Sequence, residues 1–134
     1  RRHAVALNSP VIAITSLGYN TWRNEQTEAN RNQRQSAFEI LLKLGELQQV
    51  VFHSHYDKDL VDKGNPRTGW AHVLLVNDLA GVLNSPMPEL TDRLQTVWRH
   101  NWDALGTDDA SVEAIQAEID TVRAETVRQL HMLE

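Results

Sequence analysis

The chain has 134 residues, a formal net charge of −5 at neutral pH and no cysteine. Its length suits a single domain with a modest core, and without cysteine it has no disulfide, no thiolate-bound metal and no covalently attached c-type haem. The negative charge argues against a polyanion such as nucleic acid as a partner.

The first predicted element is one long helix from Pro10 to His55. Ser9 is suited to cap it, because its hydroxyl accepts a hydrogen bond from a backbone N–H that lacks a helical partner, and Pro10 fits the first helical position. Along this helix the composition changes from apolar to polar and then to amphipathic. The predicted domain organisation follows these changes, with a transmembrane anchor over residues 1–22, a polar helical stalk over residues 23–36 and a helical bundle domain over residues 37–134.

The apolar start of the helix has the features of a membrane anchor. No residue from Ala4 to Trp22 carries a formal charge, and a membrane span needs about 17 residues or more. Arg1 and Arg2 precede this segment, as the positive-inside rule expects, and Tyr19 and Trp22 end it like interfacial aromatic residues. The sequence therefore predicts a single-pass protein of the bacterial inner membrane with its soluble domain in the periplasm. The predicted anchor residues are Val11, Ile12, Ile14, Leu17, Tyr19 and Trp22.

A protein surface is the alternative environment for this segment. Asn8, Thr15, Ser16 and Asn20 lower its hydropathy, and an apolar helix end also packs in a soluble core or in an interface between subunits. The predicted partners are therefore membrane lipid and either another protein or a second copy that binds through the N-terminal helix.

The stalk and the body of the helix differ in pattern. Between Arg23 and Ser36 the only apolar residue is Ala29, so this stretch is expected in solvent. Glu25 and Glu28 interrupt its arginines, which argues against nucleic-acid binding. The broad apolar arc of the body indicates a helix packed against two neighbours in a bundle. This arc consists of a stripe at spacings of three and four residues, Ile40, Leu44, Leu47 and Val51, widened by Phe38, Leu41 and Leu42.

Three shorter helices are predicted after a loop at residues 53–68, which is rich in aspartate and ends in glycine and proline. Leu60 and Val61 are expected to hold this loop against the core. The predicted helices cover about Trp70–Leu83, about Glu89–Leu105, and a last segment from a cap at Thr107, Asp108 or Asp109 to the end of the chain.

These three helices carry apolar residues at helical spacing. No alternating strand pattern occurs, so the predicted fold class is all-α: a four-helix bundle-like domain with an extended N-terminal helix that spans the membrane. The expected core residues are Leu75, Val76, Leu79, Val82 and Leu83 on the second helix, Leu90, Leu94, Val97, Trp98 and Trp102 on the third, and Val112, Ile115, Ile119, Val122, Thr126, Leu130 and Leu133 on the fourth.

The densest group of metal-ligand side chains is His53, His55, Asp57 and Asp59. If the helix continues through it, His53 and Asp57 share one face and His55 and Asp59 share the next, and imidazole with carboxylate suits a divalent ion. A polar helix end, where histidines complement the negative end of the helix dipole, is the alternative. Since the chain has no Glu-x-x-His motif, no His-Glu-x-x-His motif and no glycine-rich phosphate loop, the sequence predicts no metal, no cofactor and no enzymatic activity.

The tryptophans allow two interpretations. Trp70, Trp98 and Trp102 suit the bulky core of a small bundle with only two phenylalanines. They also suit an aromatic pocket for a ligand or an anchor for a partner. Arg67, in the turn before the second helix, would then supply a contact to a carboxylate or phosphate.

Three stretches resemble a group of small uncharacterised bacterial proteins in which one N-terminal signal-anchor helix runs directly into a helical domain. The resemblance implies a bitopic membrane protein and lends no active-site residue. In architecture the chain is also similar to the four-helix ligand-binding domains of bacterial chemoreceptors. The stretches that carry the first resemblance are TWRNEQTE from Thr21, the run from Arg34 to Leu41, and LGELQ from Leu44 to Gln48.

The predicted function is that of a non-enzymatic, single-pass membrane-anchored helical protein that acts as an accessory or interaction subunit of a larger membrane assembly. One alternative is a sensor-type bundle that binds a small ligand near the tryptophans. The other is a metal-dependent activity at His53 and His55.

Overall fold

The computed structural model describes residues 2–133, with side chains from Ile14 to Leu133. Over these residues the chain is helical and contains no strand, which confirms the predicted all-α class and the four helices. A 3-10 turn at Trp102–Ala104 follows the third helix. The helices are α1 (Arg2–His55), α2 (Pro66–Ala80), α3 (Met87–Asn101) and α4 (Asp109–Met132).

The chain divides into two compact units, Arg1–Asn32 and Gln33–Glu134. The second unit begins a few residues before the predicted domain start, because Arg34 donates from Nη2 to the carbonyl oxygen of Leu133 at 2.9 Å and Ser36 is buried. The predicted helix start at Pro10 is wrong, since α1 already begins at Arg2. Proline deprives a helix of one backbone hydrogen bond, and the helix-forming alanines and leucine before it extend the helix past that position.

The stripe predicted on α1 forms the centre of the bundle core. Ile40, Leu44 and Leu47 have no exposed surface. The prediction that Phe38 and Leu42 widen this stripe is wrong, because both lie on the opposite side of α1 and are more than half exposed. Sequence spacing identifies apolar positions on a helix, but it does not tell which side of a broad arc faces the core.

The predicted core face of α2 is correct in part, because Val76 and Leu83 are buried. Val73, Val76 and Ala80 are buried, whereas Leu75 and Val82 are exposed. The prediction followed the bulkiest side chains. The helix instead approaches its neighbours through small residues, which allow its backbone to come closer to the core.

The third and fourth helices match their predicted faces. Leu94 and Trp98 on α3 and Ile115, Ile119 and Val122 on α4 have no exposed surface. Of the three cap residues predicted for α4, Asp108 is the one that caps it, because its Oδ1 accepts from the backbone N–H of Ala110 at 3.1 Å.

The loop between α1 and α2 is held by polar contacts. The carboxylate of Asp59 accepts hydrogen bonds from the backbone N–H groups of Val61, Asp62 and Lys63 at 3.2, 3.0 and 3.2 Å. These bonds lower the pKa of Asp59. Leu60 and Val61 are exposed, so the prediction that they pack against the core is wrong. Since backbone hydrogen bonds fix the loop, it does not need that apolar contact.

Candidate functional site

A polar cleft of about 590 Å³ is the candidate functional site of the second unit. It lies where the last turns of α1, the following loop and the first turns of α2 meet. Its volume falls within the range of about 300–1,000 Å³ of small-molecule sites. The lining residues are Glu46, Gln49, Val50, His53, Asp62, Lys63, Thr68 and His72.

Helical spacing and a capped loop bring these side chains together. Glu46, Gln49 and His53 lie three and four residues apart on α1, so they share one face. At the start of α2, Asn65 caps the helix by accepting from the backbone N–H of Arg67 at 3.0 Å and donates from Nδ2 to the carbonyl of Val61 at 3.1 Å. This cap fixes where α2 begins and therefore where its side chains enter the cleft.

The charges of the cleft are partly paired. Lys43 donates from Nζ to Glu46 Oε2 at 3.1 Å, and Nδ1 of His72 lies 3.6 Å from the same oxygen. Burial is the main cause that lowers the pKa of His72, Glu46 raises it, and Lys43 lowers it further. His72 is therefore biased towards the neutral ring. Asp62 and Lys63, adjacent on the loop, form no ion pair with any residue that the structure describes.

The candidate metal ligands separate into three environments. His53 Nδ1 lies 2.6 Å from Asp57 Oδ2, as their spacing predicted. His55 does not meet Asp59, because α1 ends at His55; its Nε2 lies 2.6 Å from Asp109 Oδ1 at the start of α4. Asp59 binds backbone N–H groups of its own loop. Among the side chains that the structure describes, Ile14 to Leu133, no three histidine or acidic groups converge on a point where they would hold a metal ion.

One of the three tryptophans lies in the bundle core, and the other two pack against it. Trp98 is fully buried, and its ring meets that of Trp70 edge-on at 6.3 Å between centroids. Trp102 is half-buried against the same core. Arg67 is exposed, and none of these four residues lines the polar cleft. The core interpretation therefore accounts for Trp98.

The N-terminal apolar residues are exposed where their side chains are described. Ile14, Leu17, Tyr19 and Trp22 are 70%, 67%, 58% and 57% exposed, and the rings of Tyr19 and Trp22 lie 6.2 Å apart. Val11 and Ile12, also predicted to belong to the anchor, lie outside the residues whose side chains are described. Across the described part of the chain, no helix combines the length and the hydropathy that crossing a membrane requires.

Sequence inspection missed the cleft because its residues come from three separated segments. The spacing of Glu46, Gln49 and His53 was an available signal, but nothing in the sequence connects it with His72. His55 contacts Asp109, which lies 54 positions later in the chain. No local sequence spacing predicts this contact.

Comparison of the chain with protein families, with curated proteins and with solved structures finds no match. The resemblance to small signal-anchored bacterial proteins therefore stays a prediction.

Proposed function

We propose that the protein is a non-enzymatic accessory subunit of a larger membrane assembly, and that the N-terminal part of α1 is its docking element. The observation that carries the proposal is the exposure of Ile14, Leu17, Tyr19 and Trp22 in a unit that contains α1 alone. Burial of apolar surface is favourable by about 25 cal/mol of free energy per Å², and side chains left in water do not gain this free energy. Such a patch marks a binding site for another apolar surface.

The composition of this segment favours a protein partner within the membrane over lipid alone. Over the residues that the structure describes, the segment does not have the hydropathy of an independent membrane span. Small and hydroxyl-bearing residues are enriched where membrane helices pack against each other, and this segment carries Ser16, Gly18 and Thr21. We therefore propose that the segment packs against apolar helices of the assembly, with the bundle domain in the periplasm as Arg1 and Arg2 indicate.

Cell fractionation tests this proposal. The full chain, expressed at native abundance, should sediment with the inner membrane, resist a high-salt wash and dissolve in detergent. Leu17→Glu combined with Trp22→Glu should release it into the soluble fraction, because two charges would enter the apolar contact. Val61→Glu is the matched control, since Val61 is 85% exposed in the α1–α2 loop and its replacement should change nothing.

Two outcomes count against the proposal. Recovery of the unaltered chain in the soluble fraction would contradict membrane docking. Equal affinity for native membranes and for protein-free vesicles of bacterial phospholipid would assign the contact to lipid alone and remove the protein partner.

The polar cleft supports a second candidate function, binding of a small ligand by a sensor-type bundle. In this candidate function the ligand would bind at the junction of α1 and α2, and not near the tryptophans as the sequence predicted. Asp62 and Lys63 offer opposite charges side by side, which suits a zwitterion such as an amino acid. A rise of the melting temperature with an amino acid, lost in Lys63→Met and retained in Arg67→Met, would support this function.

A further inference from the structure

Helix α1 has a second apolar stripe on the side opposite the bundle core. Phe38, Leu42, Phe52 and Tyr56 are 57%, 56%, 39% and 68% exposed. With Gly45 and Gln49 they follow spacings of 4, 3, 4, 3 and 4 residues, the pattern of a coiled-coil seam. We call these six positions the outer seam.

The C-terminal end of the outer seam is ordered by contacts within the chain. The backbone N–H of Tyr56 donates to the carbonyl of Phe52 at 2.8 Å and continues the helical bonding. The two rings lie 6.0 Å apart, and the ring of His55 meets that of Tyr56 edge-on at 4.9 Å. The large side chains at this end are therefore held in place before any partner arrives.

The outer seam is self-complementary when one copy runs antiparallel to the other. In an antiparallel pair of helices, the two kinds of seam position face each other across the interface. A two-fold axis that crosses the outer seam at the level of Leu47 brings Leu42 opposite Phe52 of a second copy and Phe38 opposite Tyr56. Gly45 then faces Gln49, and apart from its chain neighbours and the backbone of its own helix no atom of the chain lies within 4 Å of the place where its Cβ would be. Each large side chain thus meets a large one, and the smallest residue meets the longest polar one.

Charge on the flank of the seam fits the same arrangement. Glu39 and His53 lie on the same side of the outer seam, and the antiparallel pairing places Glu39 of one copy near His53 of the other. Nδ1 of the His53 ring lies 2.6 Å from Asp57 of its own chain, which leaves Nε2 to face Glu39. Glu46, at the centre of this flank, is already paired with Lys43.

We propose that the outer seam is a homodimer interface in which two copies of α1 pair antiparallel around Leu47. The interface is isologous, as expected of a two-fold dimer. It uses residues other than the N-terminal docking element, so it does not rest on the proposed function, and either proposal stands if the other fails.

The mass in solution gives the first test. Analytical ultracentrifugation of the full chain should show twice the monomer mass of 15.2 kDa. Leu42→Lys should weaken the dimer at least about a hundredfold, because a charge would enter the apolar layer opposite Phe52. Leu74→Lys is the matched control on the exposed side of α2, where Leu74 is 46% exposed, and it should leave the dimer intact. Circular dichroism of Leu42→Lys, and of Leu42→Gln, which adds no charge, should match that of the unaltered chain. A match shows that the loss of the dimer is not due to unfolding.

Cysteine cross-linking tests the register, because the chain has no cysteine of its own. Oxidation of mixed Leu42→Cys and Phe52→Cys chains should produce a disulfide-linked dimer. Neither variant should cross-link with itself, because residues 42 of the two copies would be about 15 Å apart along the helix axis, beyond disulfide reach. A monomer at every concentration, a dimer unaffected by Leu42→Lys, or cross-linking within each single variant would overturn the proposal.

Discussion

Gly64 lies at a close backbone contact in the α1–α2 loop. A Cβ at this position would lie 2.1 Å from the carbonyl oxygen of Asp59 and 2.4 Å from the backbone nitrogen of Ser54. Both neighbours are backbone atoms, which cannot turn away as a side chain can. The loop beside the polar cleft therefore depends on the absence of a side chain at one residue.

Replacing this glycine should destabilise the bundle. We expect Gly64→Ala to lower the free energy of unfolding by about 3 kcal/mol, because the loop must shift to admit the methyl group. Gly45→Ala is the control: nothing lies within 4 Å of its Cβ position, and alanine should stabilise the helix interior by about 1 kcal/mol. Urea denaturation measures both values, and equal effects of the two substitutions would contradict the backbone contact at Gly64.

His72 should make stability depend on pH. Burial lowers its pKa below the ordinary value of 6.5, so the unfolded chain takes up a proton at a higher pH than the folded protein does. The contribution of the neutral ring is therefore complete above 6.5 and declines as the pH falls below that value. The urea midpoint of the unaltered chain should decrease between about pH 7.5 and about pH 5.5. We expect a smaller decrease in His72→Gln. An unchanged fall would show that other groups cause it.

Individual helices differ in how well their sequences predict their packing. The core stripes of α1 and α4 repeat over several turns, so hydrophobic spacing identified them. In α2 the core contact is made through Gly69, where a Cβ would lie 2.4 Å from the Trp98 ring. Because glycine adds nothing to a hydropathy pattern, the sequence could not predict that this face of α2 packs against Trp98.

The same limit applies to the cleft and to the outer side of α1. His72 meets Glu46 only because α2 packs beside α1, and no local spacing encodes that approach. Phe38 and Leu42 were assigned to the core because apolar residues are expected inside. They are exposed because the core stripe is complete without them.

At the scale of the whole molecule, both proposed contact surfaces lie on α1. Its core stripe belongs to the bundle, whereas Ile14, Leu17, Tyr19 and Trp22 near its start and the outer seam farther along are exposed. The chain is thus a helical domain whose longest element carries apolar side chains beyond the needs of its own core. Other molecules are therefore expected to cover these side chains.

Photo-cross-linking in living cells tests that claim most directly. A benzoylphenylalanine placed at Leu17, at Leu42 or, as the control, at Leu74 reports what lies against each position. We predict a cross-link from Leu17 to a larger membrane protein, a cross-link from Leu42 to a second copy with twice the monomer mass of 15.2 kDa, and none from Leu74. Absence of cross-links from both Leu17 and Leu42, or equal yields at all three positions, would contradict the claim.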